Sequence, residues 1–135
     1  MTKLQSEPAQ TSDVVTNGVR VEVMARHSPE NSRPQQWVFE YTVRITNQGP
    51  AKVQLLSRHW IITDGFDRVE EVRGPGVVGE QPVLEPGQQF KYSSWCPLKT
   101  PTGVMHGTYQ MTGAAGEKFE VEIAPFALKA RYTVH

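Results

Sequence analysis

The feature that most constrains this chain is the run from Trp37 to Thr46. Trp37, Phe39, Tyr41, Val43 and Ile45 fall on one face of an extended segment, and Glu40, Thr42, Arg44 and Thr46 on the other, until Asn47-Gln48-Gly49-Pro50 breaks it. A period of two belongs to the β-strand, and one apolar face beside one polar face means a strand buried on one side and wet on the other. Such strands come from antiparallel sheets, and their dry face needs a second layer.

The same period returns along the chain. Val19, Val21 and Val23 alternate with polar neighbours after an Asn17-Gly18 turn; Phe90, Tyr92 and Ser94 share a face, as do Met105, Tyr109 and Met111, and Phe119, Val121 and Ile123. Val53 to Thr63 is apolar on both faces, with Leu55 and Ile61 on one and Leu56, Trp60 and Ile62 on the other, which predicts a strand in mid-sheet or under a loop. A short strand at Val69 to Arg73 precedes Gly74-Pro75-Gly76-Val77-Val78-Gly79, and Pro82 and Pro86 exclude a helix after it. About seven strands with turn signals at roughly ten-residue spacing, and no helical period, predict a β-sandwich of the fibronectin type III or immunoglobulin-like kind. Tyr109, after Gly107-Thr108, stands where such folds tie the preceding corner with a tyrosine hydroxyl. The closing alternation from Phe126 to Val134 extends the last strand, lies along an edge, or pairs with a second copy.

Composition narrows the function classes. The 135 residues fit one domain, expected over 14–135, behind a disordered tail from residue 1 to about 13 in which only Met1, Leu4 and Ala9 are apolar. The single cysteine rules out an internal disulfide, and no apolar run predicts a signal segment or a membrane span, so a cytoplasmic location without membrane contact is expected. Fourteen basic residues balance fourteen acidic ones, which leaves no overall field to gather phosphate backbones and makes nucleic acid a poor fit.

Gly74, Gly76 and Gly79 spell the G-x-G-x-x-G pattern of dinucleotide-binding folds, whose pyrophosphate sits on a following helix N-terminus. Here that helix is missing: Pro75 lacks an N–H, Glu80 is negative, and Pro82 blocks helix continuation. What remains is a backbone nest for an anion with Arg73 beside it, weighed against a loop whose glycines supply positive φ. The four histidines and Cys96 show no ligand-pair spacing, so no metal or other cofactor is expected. Asp64 and Asp67 flank a hairpin-type turn that could hold a hydrated cation only loosely. Ser57 and His59 share a strand face about 7 Å apart, too far for a direct hydrogen bond. Cys96 before Pro97 reads as a small residue at a strand end. No catalytic set emerges. Among the aromatics Trp37 is inward, whereas Trp60 and Trp95 do not both fit inward; with Arg58 they form a candidate interaction surface.

The run Leu55 to Gly65, then Val69 to Pro82, Leu84-Glu85-Pro86-Gly87, Phe90 with Tyr92, Pro101 to Tyr109 and Phe119 to Phe126 resembles the bacterial ApaG family over everything after the tail. The resemblance implies a fibronectin type III-like sandwich with no established enzymatic activity. Domains similar to ApaG also occur in an F-box subunit of ubiquitin ligases and in a polymerase-delta-interacting protein, which implies a protein-binding module. Gene neighbourhood links the bacterial family to diadenosine tetraphosphate hydrolase, and the family is also linked to cobalt and magnesium resistance. The leading expectation is a non-catalytic module for protein–protein interaction, with self-association through an edge strand or the C-terminal segment as a further option. The alternatives are phosphate or nucleotide binding at Arg73, Gly74, Gly76 and Gly79, or divalent-cation handling.

Overall fold

The computed structural model describes residues 9–130. Nine strands run in the order β1 (Thr11–Thr16), β2 (Val19–His27), β3 (Trp37–Asn47), β4 (Val53–Asp64), β5 (Val69–Pro75), β6 (Val83–Leu84), β7 (Gln89–Leu98), β8 (Thr102–Gly113) and β9 (Lys118–Lys129), with one short 3-10 turn at Pro29–Asn31. They form two antiparallel sheets, β1-β2-β3-β7 and β5-β4-β8-β9, with β6 added to the end of β4. This is the expected sandwich. Two of the nine strands lie outside the expected seven. β6 is two residues long, and β1 occupies Thr11–Asp13, part of the expected tail, where register with β2 orders a polar segment that is only half-buried. Residues 1–8 of that tail, and Tyr132 and Val134 of the closing segment, lie outside the described residues.

The inward set of β3 is as the sequence predicts: Phe39, Tyr41, Val43 and Ile45 are buried, with Trp37 half-buried against them. On β4 the two-sided apolarity has a different cause. A bulge between Leu55 and Ser57 adds one residue against β8, so Leu55 and Trp60, five apart, both face the core. β9 repeats the device: β8 advances from Met105 to Gly107 while β9 advances from Phe126 back to Ile123, and Pro125 sits in the irregularity. Ile123 and Phe126 therefore share the buried face, and the closing segment continues the last strand as far as Lys129.

The sheets are joined through polar groups as well as apolar ones. The Tyr109 hydroxyl meets that of Tyr92 at 2.6 Å, from β8 to β7 across the core. This corrects the expected corner tie: the bond is between sheets, not back to a turn. Burial raises the pKa of both hydroxyls, keeping them neutral. Asn47, buried at the end of β3, donates through Nδ2 to the carbonyls of Ala51 and Leu84, 2.9 Å each, and accepts from Gly49 N at 3.0 Å. It thereby fixes the turn and β6 with no polar atom wasted.

One flank of the sandwich is closed. Ala127 N donates to Ala9 O at 2.7 Å, Asn17 Nδ2 to Glu120 O at 3.2 Å, and Glu122 N to Thr16 Oγ1 at 3.2 Å, so β1 and its turn are fastened to β9. On the other flank no hydrogen bond joins β7 to β5 among the described residues.

Tyr92→Phe strands the Tyr109 hydroxyl in the core and should cost about 1–3 kcal/mol in urea denaturation, whereas the double Phe variant should cost less than the sum of the single changes.

Candidate functional site

The glycine loop has spent much of its donor capacity on itself. Gly76 N donates to Leu56 O at 2.8 Å, Val77 N to Glu80 O at 2.8 Å, and Glu80 N to Val77 O at 2.9 Å. Gly76, Val78 and Gly79 have φ of 62°, 44° and 82°, and a Cβ on Gly76 would collide with the Glu80 carbonyl, so glycine is required there for a tight turn. Gly74 serves differently: the Arg58 guanidinium lies over it, 3.0 Å from where a Cβ would stand. Arg58 Nη1 donates to the carbonyls of Pro75 and Gly76, both at 3.0 Å, so this cation braces the loop's oxygens. Arg73 points to the outer face of its sheet, where it meets Glu71 at 3.2 Å. The structure does not bring Arg73 and the loop donors to one point.

The other reactive candidates each have a separate partner. Ser57 Oγ donates to Gln110 Oε1 at 2.7 Å, and His59 Nε2 lies 2.7 Å from Glu71 Oε1, so serine and histidine are not a pair. Hydrogen bonds from His59 and then Arg73 hold the Glu71 carboxyl below its usual range. Asp64 Oδ1 accepts from the amides of Phe66 and Arg68 at 2.8 and 3.0 Å, and Oδ2 from Arg68 Nε at 2.8 Å, while Asp67 adopts φ of 63°. The turn carboxylate thus closes its own hairpin. Cys96 is buried, and burial, then the charge of Glu70, pushes its thiol up to about 12.

At the open flank the residues singled out for interaction do meet. Arg58, Trp60 and Trp95 line one groove between β5 and β7, with Tyr41, Glu70 and Cys96. Trp60 is its buried floor at 2% exposure, packed edge-on against Tyr41 and Phe126; Trp95 stands on its rim at 49%. Of these two tryptophans only Trp60 is inward, as their registers require. Beyond Glu70 and Pro97 the groove continues past Ile62 to Gln36 and Lys99.

The groove is flanked by two sheet edges whose backbone directions follow from the ladders. Asn47 N bonds Gln88 O at 3.0 Å, and counting along β7 by twos turns the free backbone groups of Lys91, Ser93 and Trp95 away from β3. Pro97, which has no N–H, falls in the same outward set. On β5, Asp64 N bonds Arg68 O at 2.9 Å at one end and Gly76 N bonds Leu56 O at 2.8 Å at the other. Both bonds give one parity, which turns Val69, Glu71, Arg73 and Pro75 outward. Sequence reasoning found the aromatic rim but missed Tyr41, Glu70 and these edges, because strand order is invisible to periodicity.

A family model described as the ApaG domain matches residues 27–113. Protein ApaG of Bordetella pertussis is 58% identical over 117 residues, covering 85% of this chain and 89% of the relative. Protein ApaG of Anaeromyxobacter dehalogenans is 53% identical, with 87% and 94% covered. A Bordetella pertussis crystal structure solved under the name ApaA protein superposes with a TM-score of 0.80 at 52% identity, over 94% of this chain and 100% of that one.

Cys96 should resist alkylation in the folded protein at pH 8 and react at least about a hundredfold faster in denaturant, as timed mass spectrometry would read. Gly76→Ala should cost about 1–3 kcal/mol in denaturant melts, with the same loss whether or not pyrophosphate is present.

Proposed function

The chain belongs to the ApaG domain family, and from that premise we propose that it is a non-catalytic interaction module that takes a protein partner at the open flank between β5 and β7. The observation that carries this reading is the groove itself. It combines a half-exposed tryptophan on the rim, an aromatic floor and two strand edges with unpaired backbone groups. A segment laid along such an edge gains main-chain hydrogen bonds for affinity, and the pockets beside the edge choose its side chains. Trp95 is the anchor, since exposed tryptophan beside arginine is the composition that dominates binding energy at interfaces. Glu70, which holds no ion pair among the described residues, supplies a carboxylate at the mouth and favours a basic residue in the incoming segment.

The glycine-loop and cation readings have less to support them. The loop's paired amides and the use of Arg58 on carbonyls weigh against a nest for phosphate. The internal partners of Asp64 weigh against a cation at the turn.

Extended peptides selected against the folded protein from a display library should shift the amides from Lys91 to Cys96 and the Trp95 indole, and Trp95→Ala should weaken them at least about tenfold without changing the melt. Shifts confined to Gly74–Glu80 would count against this assignment.

A further inference from the structure

The outward groups of β5 make a second, self-complementary surface. We propose that a second copy of this chain pairs with the first along β5, antiparallel about a two-fold axis at Val72, so that the β5-β4-β8-β9 sheets of the two molecules become one continuous sheet. This goes beyond the partner groove and does not rest on it: the two share the β5 edge and Glu70, but the groove's anchor, Trp95, stands on β7 and takes no part in the pairing.

The register is chosen by charge. With Val72 opposite its own copy, Glu71 of each molecule faces Arg73 of the other, and both residues turn their N–H and C=O outward, as a hydrogen-bonded antiparallel pair requires. About four inter-strand bonds form around the axis, and Pro75, which lacks an N–H, ends the ladder. On the opposite face, Glu70 comes beside Gly74 of the copy, where the Arg58 guanidinium already lies. The carboxylate of Glu70 has no ion pair among the described residues, and here it gains one. At the axis the two Val72 side chains, half-buried against the core, meet. Slipping the register by two residues puts Glu71 opposite Glu71, or Arg73 opposite Arg73, and like charges directly opposed are unfavourable. Slipping by one sets outward groups against inward ones. The charges that would ordinarily blunt an exposed edge therefore select one pairing. β7 has no such palindrome.

A seven-residue edge is a small interface, so association is expected at roughly 10–100 μM. The test is sedimentation velocity of the full chain from about 10 μM to about 1 mM, a range that brackets this affinity. The wild type should move from monomer toward dimer with concentration. Glu71→Arg alone and Arg73→Glu alone should each weaken association at least about tenfold, because each sets like charges together. An equimolar mixture of the two variants should regain the dimer, since every Arg then faces a Glu, and that recovery also shows that neither variant has unfolded. Trp95→Ala should self-associate like the wild type, which separates this inference from the partner groove. A wild type that is monomeric throughout, a single variant that dimerises as well as the wild type, or a mixture that stays monomeric while the wild type pairs would overturn the proposal.

Discussion

The structure depends on an asymmetry of closure. A sandwich of two open sheets has two flanks, and each flank leaves a pair of strand edges whose backbone donors and acceptors need partners or water. Here β1, with the residues that lead into it, and β9 satisfy part of that need for one another, as in Ala127 N to Ala9 O at 2.7 Å and Glu122 N to Thr16 Oγ1 at 3.2 Å. β5 and β7 have no such connection among the described residues. Everything distinctive about the surface follows: a groove between the unpaired edges, an aromatic floor where the core reaches the opening, and a tryptophan on the rim.

The interior makes that opening tolerable. Tyr41, Trp60 and Phe126 pack against one another beneath the groove with ring centroids 5.3 to 6.3 Å apart, in tilted or edge-on geometry. The Tyr92–Tyr109 hydroxyl pair spans the sheets at 2.6 Å behind them. Arg58 holds the glycine loop at the groove's end by its carbonyls, which makes that loop a fixed boundary of the site. The same bracing explains why a sequence pattern shared with dinucleotide-binding folds serves another purpose here. Glycine answers a demand for positive φ and close approach, and tight turns make that demand as readily as phosphates do.

Where one face is dry and the other wet, sequence predicts structure directly, because alternation in β3 maps onto burial. It misled where a bulge intervened. Leu55 and Trp60 have opposite parity yet share the core, as do Ile123 and Phe126, since one extra residue reverses the phase. Pro125 is the signal that could have located the second bulge, as proline in a paired strand is confined to edges and irregularities. β1 was hidden because an edge strand that is half-buried needs little apolar character. The candidate site was legible in part. Arg58, Trp60 and Trp95 stood out by residue type, but their neighbours across the groove depend on which strands lie at the sheet ends, a long-range property that local pattern does not carry.

Hydrogen exchange resolved by residue on a dilute sample tests the open flank most directly, because an edge strand alternates between amides bonded to its neighbour and amides facing solvent. Glu71, Arg73, Lys91, Ser93 and Trp95 should exchange fast while Glu70, Val72, Tyr92 and Cys96 are protected. Uniform protection along β5 or β7 in the dilute monomer would mean that the edge is already covered by the chain itself, and would contradict an open flank.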